Sequence, residues 1–396
     1  MMNPDPPYFK KISRRIATAG IVLMLVTLIV IAATGGVFAD DAPPAPGQLA
    51  FSTKGWRTDF TKHTIPLEDI RGAGPGKDGI PPLDRPTFVS VERANRWMEN
   101  QNPVIALELN GDVRAYPLQI LNWHEIVNDI LGGTPVTITF CPLCNSAVAF
   151  DRTLDGVVYD FGVTGNLYNS NLVMWDRQTQ SWWQQITGEA IVGELAGKRL
   201  TFIPAPIVAW ANFMDSNPQG LVLSLDTGFD RNYASSPYNG YDRLDRPPTN
   251  FAGDYDRRLL PKERVAAVTV GEVDLAFPFS ILERERVVNY SDGERNIVVL
   301  FKPGTVSALD RVLISDSKDV GSTGIFKADI DERRLTFRLR GEEFVDDQTG
   351  SVWNIFGKAT NGPLAGNQLT PIVHGNHFWF AWGAFKPNTL IYRGAT

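Results

Sequence analysis

The longest apolar stretch of the chain lies near its N-terminus. It runs without a charge from Ile16 to Ala39, which is long enough to cross the roughly 30 Å hydrocarbon core of a membrane as a helix. Four basic residues precede it: Lys10, Lys11, Arg14 and Arg15. Because positive charge stays on the cytoplasmic side, we expect everything downstream to lie outside the cytoplasm. We predict that residues 1–39 are a signal anchor and that this helix is the protein's contact with the membrane.

A cleaved signal peptide is the alternative for the same segment. The apolar run closes with Val37-Phe38-Ala39, a small-residue pattern typical of signal-peptidase sites. Cleavage after Ala39 would release a secreted protein. The apolar run exceeds the usual 7–15 residues of a signal peptide, so the pattern favours a retained anchor. Either way, we expect the chain at the periplasmic face or the cell surface.

Alternation of apolar and polar residues predicts several strands in the first half of the remaining chain. Residues 105–109 and 113–116 flank Asn110-Gly111-Asp112, which predicts a hairpin. Residues 118–131 carry apolar residues at helical spacing and stop at Gly132-Gly133, so we predict a helix there. The β-branched run Val136–Phe140 predicts a buried strand.

The pattern further along adds a second hairpin and one more helix. Residues 147–150 and 157–163 bracket the turn-forming residues 153–156, and residues 206–216 predict a helix before a strand at 221–225. Strands therefore outnumber helices. The predicted fold class is α+β and β-rich.

The same pattern occurs twice along the chain. Ala115–Leu121 followed by Val127-Asn128 recurs as Ala276–Leu282 followed by Val288-Asn289, at a constant offset. Residues 135–140 match 296–301 at that offset, and residues 176–183 match 346–353 further on. Self-similarity over this length indicates two tandem internal repeats of a mixed strand and helix unit.

These patterns divide the chain into five segments. After the anchor, residues 40–71 form a tether and the start of the ectodomain. Residues 72–226 hold the first repeat and residues 264–396 the second. A loop-rich linker rich in Tyr, Asp, Arg and Pro joins them at residues 227–263.

Composition and charge exclude some classes of function. With 396 residues and 43% hydrophobic content, the chain can form packed cores. The net charge of −6 and the absence of a basic stripe interleaved with aromatic residues argue against nucleic-acid binding. Two cysteines in an exported chain of this size form a single local pair and not a disulfide framework.

The two repeats differ in their chemically reactive residues. Cys141 and Cys144 of the first repeat align with Lys302 and Thr305 of the second, and His124 aligns with Glu285. The polar block Tyr168, Asn169, Ser170 and Asn171 has no counterpart in the second repeat. We therefore place a candidate site in the first repeat, with Cys141, Cys144 and His124 as catalytic candidates and the polar block as substrate-binding candidates.

A thiol redox couple is one interpretation of Cys141-Pro142-Leu143-Cys144. Two intervening residues allow the sulfurs to bond within one turn, and Pro142 would stiffen that turn. Cys141 would attack and Cys144 would resolve the mixed disulfide. An unperturbed thiol has a pKa of about 8.5, so His124, on an inward helix face, or a nest of backbone amides would have to lower it. A strand after the pair distinguishes this context from thioredoxin, where a helix follows.

Two other interpretations use the same pair differently. Cys-x-x-Cys is a common clip for zinc or copper, with His124 as third ligand and His374 or His377 as a possible fourth. Alternatively, the pair is a structural disulfide in a scaffold that binds an unknown protein partner through its linker. Neither requires turnover, so whether the chain is an enzyme stays open.

Long segments of the chain resemble a known family. TPVTITFCPLCNSAVAFDR and FGVTGNLYNSNLVMWDRQTQSWWQQITGEAIVGELAGKRL are similar to the exported bacterial and archaeal family called domain of unknown function 3179. The resemblance extends from Gly72 to the C-terminus and implies an exported, often membrane-anchored protein. Cys141 and Cys144, like Tyr168, Asn169 and Ser170, fall on the most recognisable stretch of that family. His374 and His377 do not fall on a family motif, and the family name supplies no activity.

Overall fold

The computed structural model describes residues 49–251, 253–293 and 295–395. The predicted anchor at residues 1–39 lies outside the described residues. None of the helices among the described residues is long and apolar enough to cross a membrane. We call residues 72–226 the first half of the protein and residues 264–395 the second half.

Among the described residues, sixteen strands and three short helices precede the second half, and they form three larger sheets and a small hairpin. The strands are β1 (Ile70–Gly72), β2 (Phe88–Ser90), β3 (Pro103–Leu109), β4 (Asp112–Pro117), β5 (Ile126–Leu131), β6 (Thr134–Cys141), β7 (Ser146–Asp151), β8 (Thr153–Leu154), β9 (Val157–Val158), β10 (Phe161–Tyr168), β11 (Asn171–Asp176), β12 (Trp182–Gln184), β13 (Glu189–Val192), β14 (Thr201–Ile203), β15 (Ile207–Ala209) and β16 (Leu221–Leu223). The helices are α1 (Val91–Ala94), α2 (Leu118–His124) and α3 (Trp210–Ser216), with 3₁₀ turns at Leu67–Asp69 and Pro142–Cys144. The sheet orders are β15-β3-β4-β16-β2, β14-β7-β6-β5 and β1-β10-β11-β12-β13, and β8 pairs with β9.

The second half continues the strand numbering. Its strands are β17 (Arg264–Val270), β18 (Val273–Pro278), β19 (Val287–Ser291), β20 (Asn296–Lys302), β21 (Ser322–Lys327), β22 (Asp329–Ile330), β23 (Arg333–Arg334), β24 (Phe337–Arg340), β25 (Glu343–Asp346), β26 (Val352–Trp353), β27 (Ala359–Asn361), β28 (His374–Phe378) and β29 (Leu390–Ile391). Its helices are α4 (Phe279–Glu285) and α5 (Trp379–Phe385), with a 3₁₀ turn at Ile314–Asp316. The sheet orders are β28-β17-β18-β29, β19-β20-β21 and β24-β25-β26-β27, and β22 pairs with β23. The protein is thus an α+β, β-rich fold, as expected.

The first predicted hairpin is confirmed. β3 and β4 pair antiparallel from Val104↔Pro117 to Leu109↔Asp112. The turn passes through Asn110 and Gly111, whose φ angles are 52° and 80°. Asn and Gly adopt this left-handed backbone readily, which explains why the dipeptide predicts the turn.

The helix predicted at 118–131 is wrong in its second part. α2 ends at His124, and Glu125 follows with φ 58°. Residues 126–131 form strand β5 instead, which pairs with β6 across the turn at Gly132-Gly133. Ile126, Val127 and Leu131 are buried there, so their spacing matches one helix face by coincidence while sheet pairing decides their conformation.

The other local predictions need smaller corrections. The second hairpin turns at Asp155-Gly156 but consists only of the two-residue strands β8 and β9. β7 pairs instead with β6 and β14. The helix predicted from residue 206 begins at Trp210, because Ile207–Ala209 pairs with β3 as strand β15.

The two halves share side-chain networks as well as element order. Asp176 accepts a hydrogen bond from Trp183 Nε1 at 2.9 Å, and Asp346 accepts one from Trp353 Nε1 at 3.0 Å. Each carboxylate also accepts from the hydroxyl and backbone N–H of the threonine three positions later. Each turn is therefore held by a buried carboxylate that satisfies the same set of donors.

A second shared network links a strand to a later one. Asn128 on β5 bonds both backbone groups of Phe161, at 2.8 Å and 3.0 Å. Asn289 on β19 bonds both backbone groups of Phe337, at 2.7 Å and 2.8 Å. Since the asparagine amide carries both an NH₂ donor and an oxygen acceptor, it pairs with both backbone groups as a neighbouring strand would.

The described residues belong to one compact unit, and the two halves pack against each other within it. One hydrophobic cluster contains residues of both halves, including Phe140, Phe150, Phe378 and Trp379. The Asn145 amide donates to the carbonyl of Asn376 at 2.8 Å, which joins the turn after β6 to strand β28. The cysteine turn is therefore in contact with the second half.

Candidate functional site

The two cysteines lie at the tip of the β6–β7 hairpin. β6 ends at Cys141, which pairs with Ser146 at the start of β7. The intervening residues form a 3₁₀ turn with Pro142 in its first position, where the missing N–H costs nothing. Asn145 closes the turn with φ 49°. A strand follows the cysteine pair, as the sequence predicts.

A second hairpin tip faces this turn. Strands β10 and β11 are joined by Asn169 and Ser170, with φ angles of 49° and 63°, the signature of a two-residue hairpin turn. The Ser170 carbonyl accepts from Cys144 Sγ at 3.3 Å and from Cys141 Sγ at 3.9 Å. Both cysteines are free thiols and both are buried. The structure therefore brings the cysteine pair together with the polar block of residues 168–171.

The members of the polar block have different surroundings. Tyr168 is half-buried, with its ring 5.5 Å from Phe385 at a steep angle. Asn171 is buried, donates to Gln185 Oε1 at 2.9 Å and accepts from Gln184 Nε2 at 2.5 Å. Its amide therefore anchors the tip of this hairpin to the next strand. The Ser170 hydroxyl is buried and has no hydrogen-bond partner among the described residues.

Glu125 is a residue near the thiols that the sequence interpretation did not select. It follows the last residue of α2, is buried, and accepts from Tyr238 Oη at 3.2 Å. Burial raises the pKa of its carboxyl from 4.5 to about 7. A signal was available, because the constant offset between the matching sequence segments aligns Glu125 with Arg286, a reversal of charge one position after His124 and Glu285.

Burial also governs the pKa of the Cys144 thiol and of two phenols of the site. It raises the pKa of Cys144 well above the ordinary value, and the Cys141 thiol and the Glu125 carboxyl raise it further. The pKa values of Tyr238 and Tyr241 are raised as well, mainly by burial. The Cys144 thiol and these two phenols are therefore neutral, and the Glu125 carboxyl beside them has a pKa of about 7.

His124 is engaged with partners other than the thiols. Its Nδ1 lies 2.7 Å from the Pro81 carbonyl and its Nε2 lies 2.7 Å from Tyr233 Oη. A carbonyl only accepts, so Nδ1 carries the proton and Nε2 accepts from the phenol. Burial lowers the pKa of His124, which keeps the ring neutral. Both ring nitrogens are thus occupied.

The histidines of the second half, His374 and His377, lie on β28 and bond or stack with neighbours of that half. His374 contacts the carbonyls of Ile372 at 2.9 Å and Thr323 at 3.4 Å. The His377 ring stacks on Trp382 at 5.4 Å. Within residues 49–251, 253–293 and 295–395, no group of three or more His, Cys, Asp and Glu side chains could hold a metal ion.

Residues 235–250 of the linker cover the site, and we call them the covering segment. Hydrogen bonds tie it to the first half, among them Trp123 Nε1 to the Ser235 carbonyl at 3.0 Å, Tyr238 to Glu125, and Ser170 N to the Asn250 carbonyl at 3.1 Å. Tyr238 and Tyr241 come from this segment, which has no periodic pattern in the sequence. The thiols are therefore enclosed by chain from outside the first half.

A buried ion pair anchors the covering segment to the second half. Asp242 accepts from Arg264 at 2.8 Å, from Ser307 at 2.6 Å and from Lys318 at 2.9 Å. Burial opposes ionisation of Asp242, but the Arg264 guanidinium and these donors outweigh it and hold its pKa at about 2. Asp242 is therefore charged at any physiological pH.

Fold and site together define a β-rich α+β protein with a buried, reduced Cys-x-x-Cys hairpin enclosed by a linker. A family model described as "Protein of unknown function (DUF3179)" matches residues 77–389, and the chain belongs to that family. No curated protein and no solved structure was found to be similar to it.

Proposed function

We propose that Cys141 and Cys144 form a reversible dithiol–disulfide couple and that the protein is a thiol oxidoreductase that acts on disulfides. The observation that supports this proposal is that both free thiols contact the backbone carbonyl of Ser170 and that the Glu125 carboxyl beside them has a pKa of about 7. A dithiol needs both sulfurs within one turn and a nearby proton acceptor. This site supplies both.

The reaction takes its electrons from the dithiol and gives them to a substrate disulfide. Cys141 attacks one sulfur of that disulfide as its proton passes to the departing substrate thiolate, and a mixed disulfide forms as the substrate S–S bond breaks. Cys144 then attacks Cys141 Sγ and releases the second substrate thiol. The substrate gains two electrons and two protons, and the protein is left with a Cys141–Cys144 disulfide.

Glu125 serves the second step in this scheme. The raised pKa of Cys144 makes its thiolate scarce at neutral pH, so its attack needs a base. A carboxyl with a pKa of about 7 is matched to that task, because it is ionised often enough to accept a proton and basic enough to hold it. The proton then passes from Glu125 to the released substrate thiol.

The covering segment controls access in the same scheme. Cys141 is 2% exposed and Cys144 is fully buried, so a substrate reaches them only when residues 235–250 move. Enclosure also protects the thiols from oxidation in an oxidising compartment. The proposal therefore includes an opening step before the chemistry.

We further infer that the chain is anchored outside the cytoplasm and arose by duplication. The basic residues before the apolar run at 16–39 support the location. The matching sequence segments and the paired Asp–Trp and Asn–Phe networks support the duplication. In this view only the first half carries the thiols, and Lys302 and Thr305 occupy the corresponding positions of the second.

The deciding experiment uses the full-length chain purified without chelators. Free thiols are counted by alkylation and mass spectrometry across a series of glutathione redox buffers, and bound zinc and copper are measured in the same sample. We expect a two-electron transition of both cysteines together, and a stable mixed disulfide in the Cys144→Ser variant. Stoichiometric metal would replace the proposal by a metal-binding protein. A bridge that resists mild reductant would replace it by a structural disulfide.

A further inference from the structure

A cavity of about 410 Å³ lies where strand β7 of the first half meets strands β17 and β28 of the second. Most of its wall is apolar, and it includes Val148, Ile186, Phe202, Val268, Trp382 and Phe385. Neither cysteine lines it. Its size and apolar lining are typical of sites for small organic molecules.

His377 is a buried polar residue of this wall. It is 3% exposed and its ring lies parallel to Trp382, with centroids 5.4 Å apart and an interplanar angle of 12°. Its Nδ1 has no hydrogen-bond partner among the described residues. A buried polar atom without a partner is destabilising, so such a position calls for an explanation other than folding stability.

A glycine on the same strand leaves space for the His377 imidazole. Gly375 lies two residues earlier on β28, and a Cβ atom there would stand 2.2 Å from His377 Nε2. Glycine is therefore required at that position for the ring to lie across the strand. The equivalent strand of the first half, β15, carries Val208 where β28 carries His377. Placing a histidine here is thus specific to the second half.

The charged side chains around the cavity form ion pairs with residues of opposite charge. Arg199 pairs with Glu189 at 2.7 Å, and Lys386 pairs with Asp274 at 3.0 Å. Burial lowers the pKa of His377 to about 3, so its ring is neutral and offers one N–H donor and one acceptor nitrogen. The cavity therefore favours an uncharged ligand over an ion.

We propose that this cavity binds an uncharged, apolar ring compound carrying one hydrogen-bonding group, and that this group pairs with His377. The apolar wall takes the ring, and the polar group satisfies the imidazole. The proposal does not depend on the thiol chemistry. It assigns a ligand-binding role to the second half, which lacks the cysteines.

Three probes with the same ring system test it: 2-naphthol, naphthalene and 2-naphthoate. Binding to the full-length chain is measured by titration calorimetry and ligand-observed NMR at neutral pH. We expect one molecule of 2-naphthol per chain, bound about tenfold more tightly than naphthalene because of the added hydrogen bond. 2-Naphthoate should bind more weakly than 2-naphthol, because its charge would be desolvated.

The matched variants are His377→Phe and His63→Phe. The first keeps an aromatic ring against Trp382 but removes both nitrogens, so it should still bind naphthalene and lose its preference for 2-naphthol. The second changes an exposed histidine that does not line the cavity and should behave as the wild type. Thermal unfolding of each variant checks that it folds.

NMR of the wild-type protein provides a further test that needs no substitution in the cavity. The chain has four histidines, and ¹⁵N NMR of their side chains should show one responding to 2-naphthol and not to naphthalene. The proposal is overturned if neither neutral probe binds, if His377→Phe keeps the wild-type preference, or if no imidazole responds. Tighter binding of 2-naphthoate than of 2-naphthol would also overturn it, in favour of an anion site at Arg199 and Lys386.

Discussion

Glu125 and Arg286 occupy the same structural position in the two halves but carry opposite charges. Each follows the last residue of its helix with positive φ, 58° for Glu125 and 64° for Arg286. Each backbone carbonyl accepts at 2.8 Å from the N–H of a strand phenylalanine, Phe140 or Phe301. The backbone conformation at this position is therefore the same in both halves. Only in the first half does the position carry a carboxyl, and that carboxyl lies near thiols.

The pH dependence of stability should reveal the buried Glu125. Its pKa rises from 4.5 to about 7 on folding, so the folded state holds the proton more tightly. The contribution of the Glu125 carboxyl to the free energy of unfolding is fully present below pH 4.5. It is lost as the pH rises through 7, and the total loss is about 3 kcal/mol. Thermal unfolding from pH 4 to 8 should show Glu125→Gln becoming progressively more stable relative to the wild type. A constant difference would contradict the raised pKa, and the exposed Glu108→Gln serves as control.

The same substitution should slow the resolving step of the proposed reaction. Without a base, Cys144 attacks the mixed disulfide about 100-fold more slowly above pH 7. Below pH 6 the wild-type carboxyl is protonated, so the two proteins should converge. Acid quenching and mass spectrometry, with oxidised glutathione as the substrate, measure the lifetime of the mixed disulfide. Equal lifetimes at pH 8 would remove Glu125 from the reaction.

Asp242→Asn should destabilise the protein and expose the thiols. Loss of the carboxylate leaves Arg264 buried without its counter-charge, which typically costs about 3–5 kcal/mol. Because Asp242 anchors the covering segment, alkylation of Cys141 and Cys144 by iodoacetamide should accelerate. The control is Asp245→Asn, which removes an exposed ion pair to Arg243 in the same segment and should change neither quantity. Unaltered thiol reactivity in Asp242→Asn would show that the covering segment does not limit access.

Asn145→Ala should weaken the junction between the halves. The substitution removes the donor to the Asn376 carbonyl and places alanine at φ 49°, so we expect a loss of about 1–3 kcal/mol in unfolding free energy. Asn145→Gly loses the same hydrogen bond without the backbone strain and should be less harmful. Denaturant unfolding of the three proteins provides the measurement. A larger loss in the glycine variant would argue against strain at this position.

Short sequence patterns correctly predicted the elements whose conformation depends on residues close together in the chain. The turn at Asn110-Gly111 and the buried strand through residues 136–140 follow from residues within a few positions of each. The helix from Leu118 was overextended because β5 is specified by pairing with β6, and the apolar residues 126–131 fit both patterns. Periodicity alone does not distinguish a short buried strand from a helix.

The candidate site was predicted in part for a similar reason. Differences between the matching sequence segments selected the cysteine turn and residues 168–171, and the Ser170 carbonyl contacts both thiols. The same comparison selected His124, whose ring bonds Pro81 and Tyr233, and passed over Glu125 one position later. Tyr238 and Tyr241 could not have been found this way, because they belong to an aperiodic segment that reaches the thiols only in three dimensions.

The bond between Asn145 and the carbonyl of Asn376 limits how this protein could be shortened. The second half holds the turn that carries the cysteines, so an excised first half would lose the partner of Asn145 and one wall of the enclosure around the thiols. A half-length protein that kept the thiols enclosed would need to assemble with a second subunit in place of the missing half.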